Sequence, residues 1–205
     1  MKIKVCGMRE NRNVQKLVKL KPEYVGFIFH FNSPRFAGEN TPALPESIKK
    51  TGVFVNSQID FIEKTIKKHG LQSIQLHGDE TPNFCQLVKS FGVEVIKAIS
   101  ILNNYDFKKL IPYEKCCNYF LFDTKGKLPG GNGYAFDWKI LKDYTLKKPF
   151  FLSGGIGPEH VSKIKKLLKM NLPIYAIDIN SKFEKAPGLK KIELIKEFKN
   201  KINEL

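Results

Sequence analysis

Short runs of apolar, β-branched and aromatic residues alternate along the chain with stretches whose apolar positions recur every three or four residues. The short runs predict strands over 2–6, 24–29, 52–56, 73–76, 94–99, 119–123, 150–153 and 175–179. The stretches between them predict amphipathic helices. In the third, Ile59, Ile62 and Ile66 share one face, and His69-Gly70 ends it as a C-cap does. The fourth follows Thr81-Pro82, an N-cap and first-turn pair, and turns Phe84, Leu87, Val88 and Phe91 inward. The seventh starts after Pro158 and carries Val161, Ile164, Leu167 and Leu168; the last begins near Lys190 with Ile192, Ile195, Phe198 and Ile202. The second, near 44–50, is short, and the fifth, near 103–111, is irregular.

Regular strand–helix alternation implies a parallel sheet with helices outside it. Eight such units predict an α/β fold of the (β/α)₈ TIM-barrel type, a single compact domain over 1–205 at the short end of that fold's range. A doubly wound open sheet is the alternative. It usually needs fewer strands, and neither G-x-G-x-x-G nor G-x-x-x-x-G-K-[ST] occurs.

Composition narrows the function classes. The chain of 205 residues is 42% hydrophobic, enough to fill a core. No apolar run approaches the length of a membrane-spanning helix, and the opening MKIKVCGMRENRN lacks the apolar stretch of a secretory signal, so a cytoplasmic protein with no membrane association is expected. Cys6, Cys85, Cys116 and Cys117 match no zinc spacing and read as reduced thiols. His30, His69, His77 and His160 are dispersed, so no metal is inferred. The formal net charge is +15, yet only Arg9, Arg12 and Arg35 of the 35 basic residues are arginines. Lysines scattered over helix faces read as solvated surface rather than as a nucleic-acid site, and no nucleic-acid motif is present. A basic surface also helps to collect an anionic substrate.

In a barrel of this kind the chemistry lies at the C-terminal ends of the strands. Those ends carry Cys6-Gly7, His30 leading to Arg35, Asn56, His77-Gly78, Ser100, Asp123-Thr124, Ser153-Gly154-Gly155 and Asp178-Ile179-Asn180-Ser181. Gly154 and Gly155 allow close backbone approach, and their N–H groups with Asn180 and Ser181 suit a phosphate, the usual cargo of the last two loops of a barrel. Cys6 and Asp123 form a candidate acid/base pair. A thiolate can abstract a proton, and a carboxyl emerging from a buried strand can stay protonated enough to donate one. The plainer alternatives are a buried apolar Cys6 and a capping or ion-paired Asp123. Arg35 suits a carboxylate ligand or an ion pair, and His77 a substrate contact or a structural hydrogen bond. Segment 124–138, rich in glycine, has the composition of a lid; within it Asp137 reads as an N-cap and Trp138 as packing for the helix start.

The segments KVCGMR, SPRFAG, GVFVN, QLHGDE, GGNGYAFDW, LSGGIGPEHV and DINSKFEKAPGLK occur in the order found in phosphoribosylanthranilate isomerases, and the chain resembles that family over nearly its whole length. The resemblance implies a cofactor-free, monomeric or homodimeric barrel enzyme of tryptophan biosynthesis acting on a phosphorylated aminoaldose. Carried over by motif, it makes Cys6 the general base, Asp123 the general acid and Arg35 the partner of the anthranilate carboxylate, with Gly154, Gly155, Asn180 and Ser181 around the phosphate. His77 and Asp178 complete the expected substrate site. The chain departs from the family pattern at Asn132, where Ser or Thr is usual, at Asn180-Ser181-Lys182, where Ser-Ser-Gly is common, and at Lys191, where an Asp is usual. A related histidine-pathway isomerase would work with two carboxylates instead of Cys6 and Asp123. A basic nucleic-acid binder and a barrel without activity are the remaining alternatives.

Overall fold

A computed structural model describes residues 1–101, 105–124 and 137–204. Eight parallel strands close into a barrel: β1 (Lys2–Val5), β2 (Tyr24–Ile28), β3 (Lys49–Phe54), β4 (Ser73–Leu76), β5 (Glu94–Ile101), β6 (Tyr119–Thr124), β7 (Phe150–Leu152) and β8 (Ile174–Ile179). Closure is the β1–β8 pairing, in register from Lys2↔Ala176 to Val5↔Ile179. The barrel expected from strand–helix alternation is the observed fold, and the open-sheet alternative falls with that closure.

The outer layer contains α1 (Asn11–Val18), α2 (Ile59–His69), α3 (Pro82–Lys89), α4 (Val161–Leu168) and α5 (Ile192–Asn203). Thr81 caps α3 by accepting a hydrogen bond from the Phe84 N–H, and Gly70 caps α2 in the left-handed conformation, both as the sequence predicts. The short helix expected near 44–50 does not form. Ile48 closes a turn on the Pro45 carbonyl, and Lys49 donates its N–H to the Glu23 carbonyl and opens β3. Strand β3 therefore starts three residues earlier than its apolar run suggests. The links β5–β6 and β6–β7 carry 3₁₀ turns, Phe107–Tyr113 and Trp138–Asp143; the first holds Pro112, which removes a donor an α-helix needs. Asp137 caps the second through Lys139, and Trp138 is buried at its start. Leu87, expected in the core, is 46% exposed, and Cys85 takes the inward position on α3. A hairpin of β9 (Glu184–Ala186) and β10 (Leu189–Lys190), unforeseen in the sequence, follows β8.

Strand alternation sorts the core into two layers. Outward-facing Ile3, Val5, Val25, Phe27, Ile74, Phe120, Phe122 and Ile177 pack with the helices in the main cluster. Inward-facing Tyr24, Ile96, Ala98, Leu121, Phe151 and Ala176 form a smaller cluster inside the barrel. Above it, Cys6, Gln75, His77, Asp123 and Asp178 face a cavity at the C-terminal strand ends. Most lysines are solvated as expected, but Lys4, Lys50, Lys97 and Lys190 are buried. Of the expected lid, 124–138, residues 125–136, Asn132 among them, lie outside the described residues.

Candidate active site

Of the residues expected at the strand ends, Asn56 and Ser100 do not line the cavity, whereas Cys6, Arg35, His77, Asp123, Gly154, Gly155, Asp178, Asn180 and Ser181 line one cavity of about 170 Å³. Strand register brings them together. Lys4 and Asp178 are partners across β1 and β8, and each strand ends one residue above them.

Cys6 is 4% exposed. Gly26, on the neighbouring strand β2, makes room for its thiol: a Cβ at position 26 would lie 2.9 Å from Cys6 Sγ. Burial pushes the Cys6 thiol pKa above its ordinary value, and the adjacent Lys4 ammonium opposes that shift. Lys4 is completely buried and donates to Asp178 Oδ1 at 2.8 Å. Burial works to lower its pKa, but Asp178 and Cys6 together outweigh burial and hold it raised. Asp178 Oδ2 accepts from Ser153 Oγ at 3.1 Å, so both carboxylate oxygens are engaged within the protein.

Asp123 is 5% exposed, with Oδ1 accepting from the Thr124 N–H at 2.9 Å and Oδ2 lying 3.2 Å from His77 Nε2. The other His77 nitrogen, Nδ1, is 2.8 Å from Gln75 Nε2. His77 sits between Gln75 and Asp123, with one ring nitrogen toward each. The structural and ligand-facing roles considered for His77 thus coincide: it braces Asp123 and lines the cavity.

Gly154 (φ +88°) and Gly155 (φ +60°) turn the chain sharply after β7. A Cβ at Gly154 would lie 2.3 Å from Thr124 Oγ1 and 3.2 Å from Asp123 Oδ1, so this glycine keeps the end of β7 tight against Asp123. The N–H groups of both glycines make no hydrogen bond to a described residue, and both glycines line the same cavity as Asn180 and Ser181. A 3₁₀ turn, Ser181–Phe183, opens there, the position of the short extra helix at barrel phosphate sites. Lys182, where the family commonly has Gly, is exposed and does not line the cavity, and its φ is not positive, so that backbone does not require glycine.

Arg35 is ion-paired, but inward rather than on the surface. Its Nε lies 3.0 Å from both Glu184 carboxylate oxygens and its Nη2 2.7 Å from Oε2. Lys190 Nζ reaches Glu184 Oε1 at 2.6 Å and Asn180 Oδ1 at 2.7 Å. Burial lowers the Lys190 pKa to about 8 against the pull of Glu184. Burial works to raise Glu184, but Arg35, Lys190 and the Gly188 N–H hold it below the usual carboxylate range. Sequence reasoning missed Lys4, Gln75, Glu184 and Lys190. For Lys4 and Gln75 a signal existed: each occupies an inward position of a strand whose alternate residues are apolar.

The family model for N-(5′-phosphoribosyl)anthranilate isomerase matches residues 3–201. The chain belongs to this family. It is 42% identical to the N-(5′-phosphoribosyl)anthranilate isomerase of Parabacteroides distasonis over 206 residues, covering 97% of this chain and 91% of that one. Its fold is similar to the crystal structure of phosphoribosyl anthranilate isomerase from Thermus thermophilus, with TM-score 0.85 and 25% identity, covering 100% of this chain and 99% of that one. A phosphoribosyl anthranilate isomerase solved with reduced 1-(o-carboxyphenylamino)-1-deoxyribulose 5-phosphate superposes with TM-score 0.82 and 27% identity, each chain covered fully. Within the isomerase family, then, the buried thiol of Cys6, the braced carboxyl of Asp123, the anchored Arg35 and the turn of Gly154 and Gly155 are this chain's own arrangement around its cavity.

Proposed function

We infer that residues 1–205 act as one barrel unit that converts N-(5′-phosphoribosyl)anthranilate into 1-(2-carboxyphenylamino)-1-deoxyribulose 5-phosphate, the Amadori rearrangement of tryptophan biosynthesis. The observation that carries the reading is a single cavity lined by a thiol and a carboxyl together with groups suited to anions, Arg35 and Gly154, Gly155, Asn180 and Ser181. A substrate that carries both a carboxylate and a phosphate suits such a cavity.

Asp123 donates its proton to the furanose ring oxygen, the C1′–oxygen bond breaks, and nitrogen supplies the electron pair that forms the protonated Schiff base. His77 fixes the carboxyl by its contact with Oδ2. Cys6, as thiolate, takes the proton from C2′, and the electron pair moves toward the iminium nitrogen to give the enolamine, which tautomerises to the ketone. Lys4 is the cation beside Cys6 that favours the thiolate. Each positioned acid or base contributes about 10²–10⁴-fold. Four free cysteines, three of them buried, suit a reducing cytoplasm.

The test is direct: incubate the purified protein with freshly prepared phosphoribosylanthranilate and follow the loss of its fluorescence. Rapid decay above the uncatalysed rate is expected. No decay above background, with the protein folded by circular dichroism, would overturn the reading. Cys6→Asp separates it from a two-carboxylate isomerase, which would tolerate that change without loss.

A further inference from the structure

Two buried charged side chains near the cavity have no part in the proton transfers. Glu184 and Lys190 belong to the β9–β10 hairpin, and their side chains are 5% and 0% exposed. Asn13 holds the hairpin from behind through both backbone groups of Lys190, donating from Nδ2 to the carbonyl at 3.0 Å and accepting from the N–H at 2.8 Å. Glu184 Oε1 also accepts from the Gly188 N–H at 3.0 Å. The carboxylate is therefore fixed from its own hairpin before it meets Arg35.

We propose that Glu184 and Lys190 are positioning residues for Arg35, holding its guanidinium so that Nη1 is presented to the carboxylate of the bound substrate. Glu184 occupies the Nε–Nη2 edge of the guanidinium, which is planar and cannot turn without breaking both contacts. Nη1 makes no hydrogen bond to a described residue, and Arg35 lines the cavity. Lys190 bridges Glu184 to Asn180, so the carboxylate-binding and phosphate-binding ends share one buried cation. The three charges sum to one positive charge, so the cluster attracts an anion although Arg35 is already paired. Glu184 alone would cancel Arg35; Lys190 restores the excess.

The proposal rests on the isomerase reading, and the experiment separates the two. Glu184→Gln keeps the shape and removes the charge; Lys190→Met removes the bridge. Each is assayed on phosphoribosylanthranilate and on the phosphoribosyl derivative of aniline, which lacks the carboxylate. Loss of a charge-assisted contact spans about 10- to 100-fold. The expected result is a KM for phosphoribosylanthranilate raised by that factor with kcat much less affected, and little change for the aniline substrate. Equal losses on both substrates, or a Glu184→Gln crystal structure with the Arg35 guanidinium unmoved, would overturn the positioning role. If Glu184→Gln fails to fold, Lys190→Met carries the same comparison. Wild-type inactivity on phosphoribosylanthranilate would instead sink the isomerase reading, and this proposal with it.

Discussion

Gly26→Ala tests whether the general base is where the barrel puts it. The added Cβ would meet Cys6 Sγ at 2.9 Å, Cys6 Cα at 3.2 Å and Cys6 Cβ at 3.4 Å. The sulfur contact is about half an ångström short of ordinary packing. The backbone of Cys6 has little room to retreat, because its N–H is bonded to Ile179 at 2.9 Å and β1 is paired on both sides. The thiol must therefore swing by at least that amount, at roughly 0.5–1.5 kcal/mol for an off-rotamer side chain. Overpacking adds the usual penalty of about 1–3 kcal/mol in stability. A misplacement of 1 Å can cost about 10²-fold in rate, so half of it should lower kcat by about tenfold. Steady-state fluorescence decay gives kcat and KM, and urea denaturation gives the stability change. A variant with wild-type kcat and an unshifted urea midpoint would refute the close approach of β2 to Cys6.

Other consequences concern stability. Lys97 donates to Leu76, Gly78 and Ala98 carbonyls and to Glu80 Oε2 at 3.0 Å, with both side chains under 5% exposed. Lys97→Met strands a buried carboxylate and should cost about 3–5 kcal/mol by urea denaturation; a loss below about 1 kcal/mol would show that the pair is dispensable. Stability should also fall with rising pH above about 9. Burial raises Cys85 and Cys117 from 9.0 to about 12 each, so the folded state keeps protons that the unfolded chain releases, and their contribution is complete below pH 9 and lost toward 12. Each such group supplies a slope of about 1.4 kcal/mol per pH unit. Lys190, lowered to about 8, acts in the opposite sense between 8 and 10.5, but two thiols and the raised Tyr105 outnumber it. A thermal midpoint that holds constant from pH 8 to 11 would contradict this.

The barrel was legible because each strand carries outward apolar residues that must meet helices, and eight such runs leave few arrangements. Legibility failed where polarity misleads. Lys49 and Lys50 read as the end of a helix, yet Lys49, half-exposed, pairs with Glu94 of β5 and Lys50 lies over the Phe27 ring. The cavity-lining residues were legible from their position at strand ends, a property of chain order. Their supports were not. Glu184 meets Arg35 across 149 residues of sequence, and no local pattern marks a hairpin residue for burial beside a distant arginine. The lysine-rich composition hid the rest: a scatter of 35 basic residues looks like solvated surface, and only closure of the barrel separates Lys4, Lys97 and Lys190 from it.

The division of labour between Cys6 and Asp123 is the central claim, and single-turnover decay of phosphoribosylanthranilate by wild type, Cys6→Ser and Asp123→Asn tests it most directly. Each substitution should slow the step by about 10²–10⁴-fold while the thermal midpoint shows the barrel intact. Either variant turning over within a few-fold of wild type would contradict the assignment of that residue to the proton transfer.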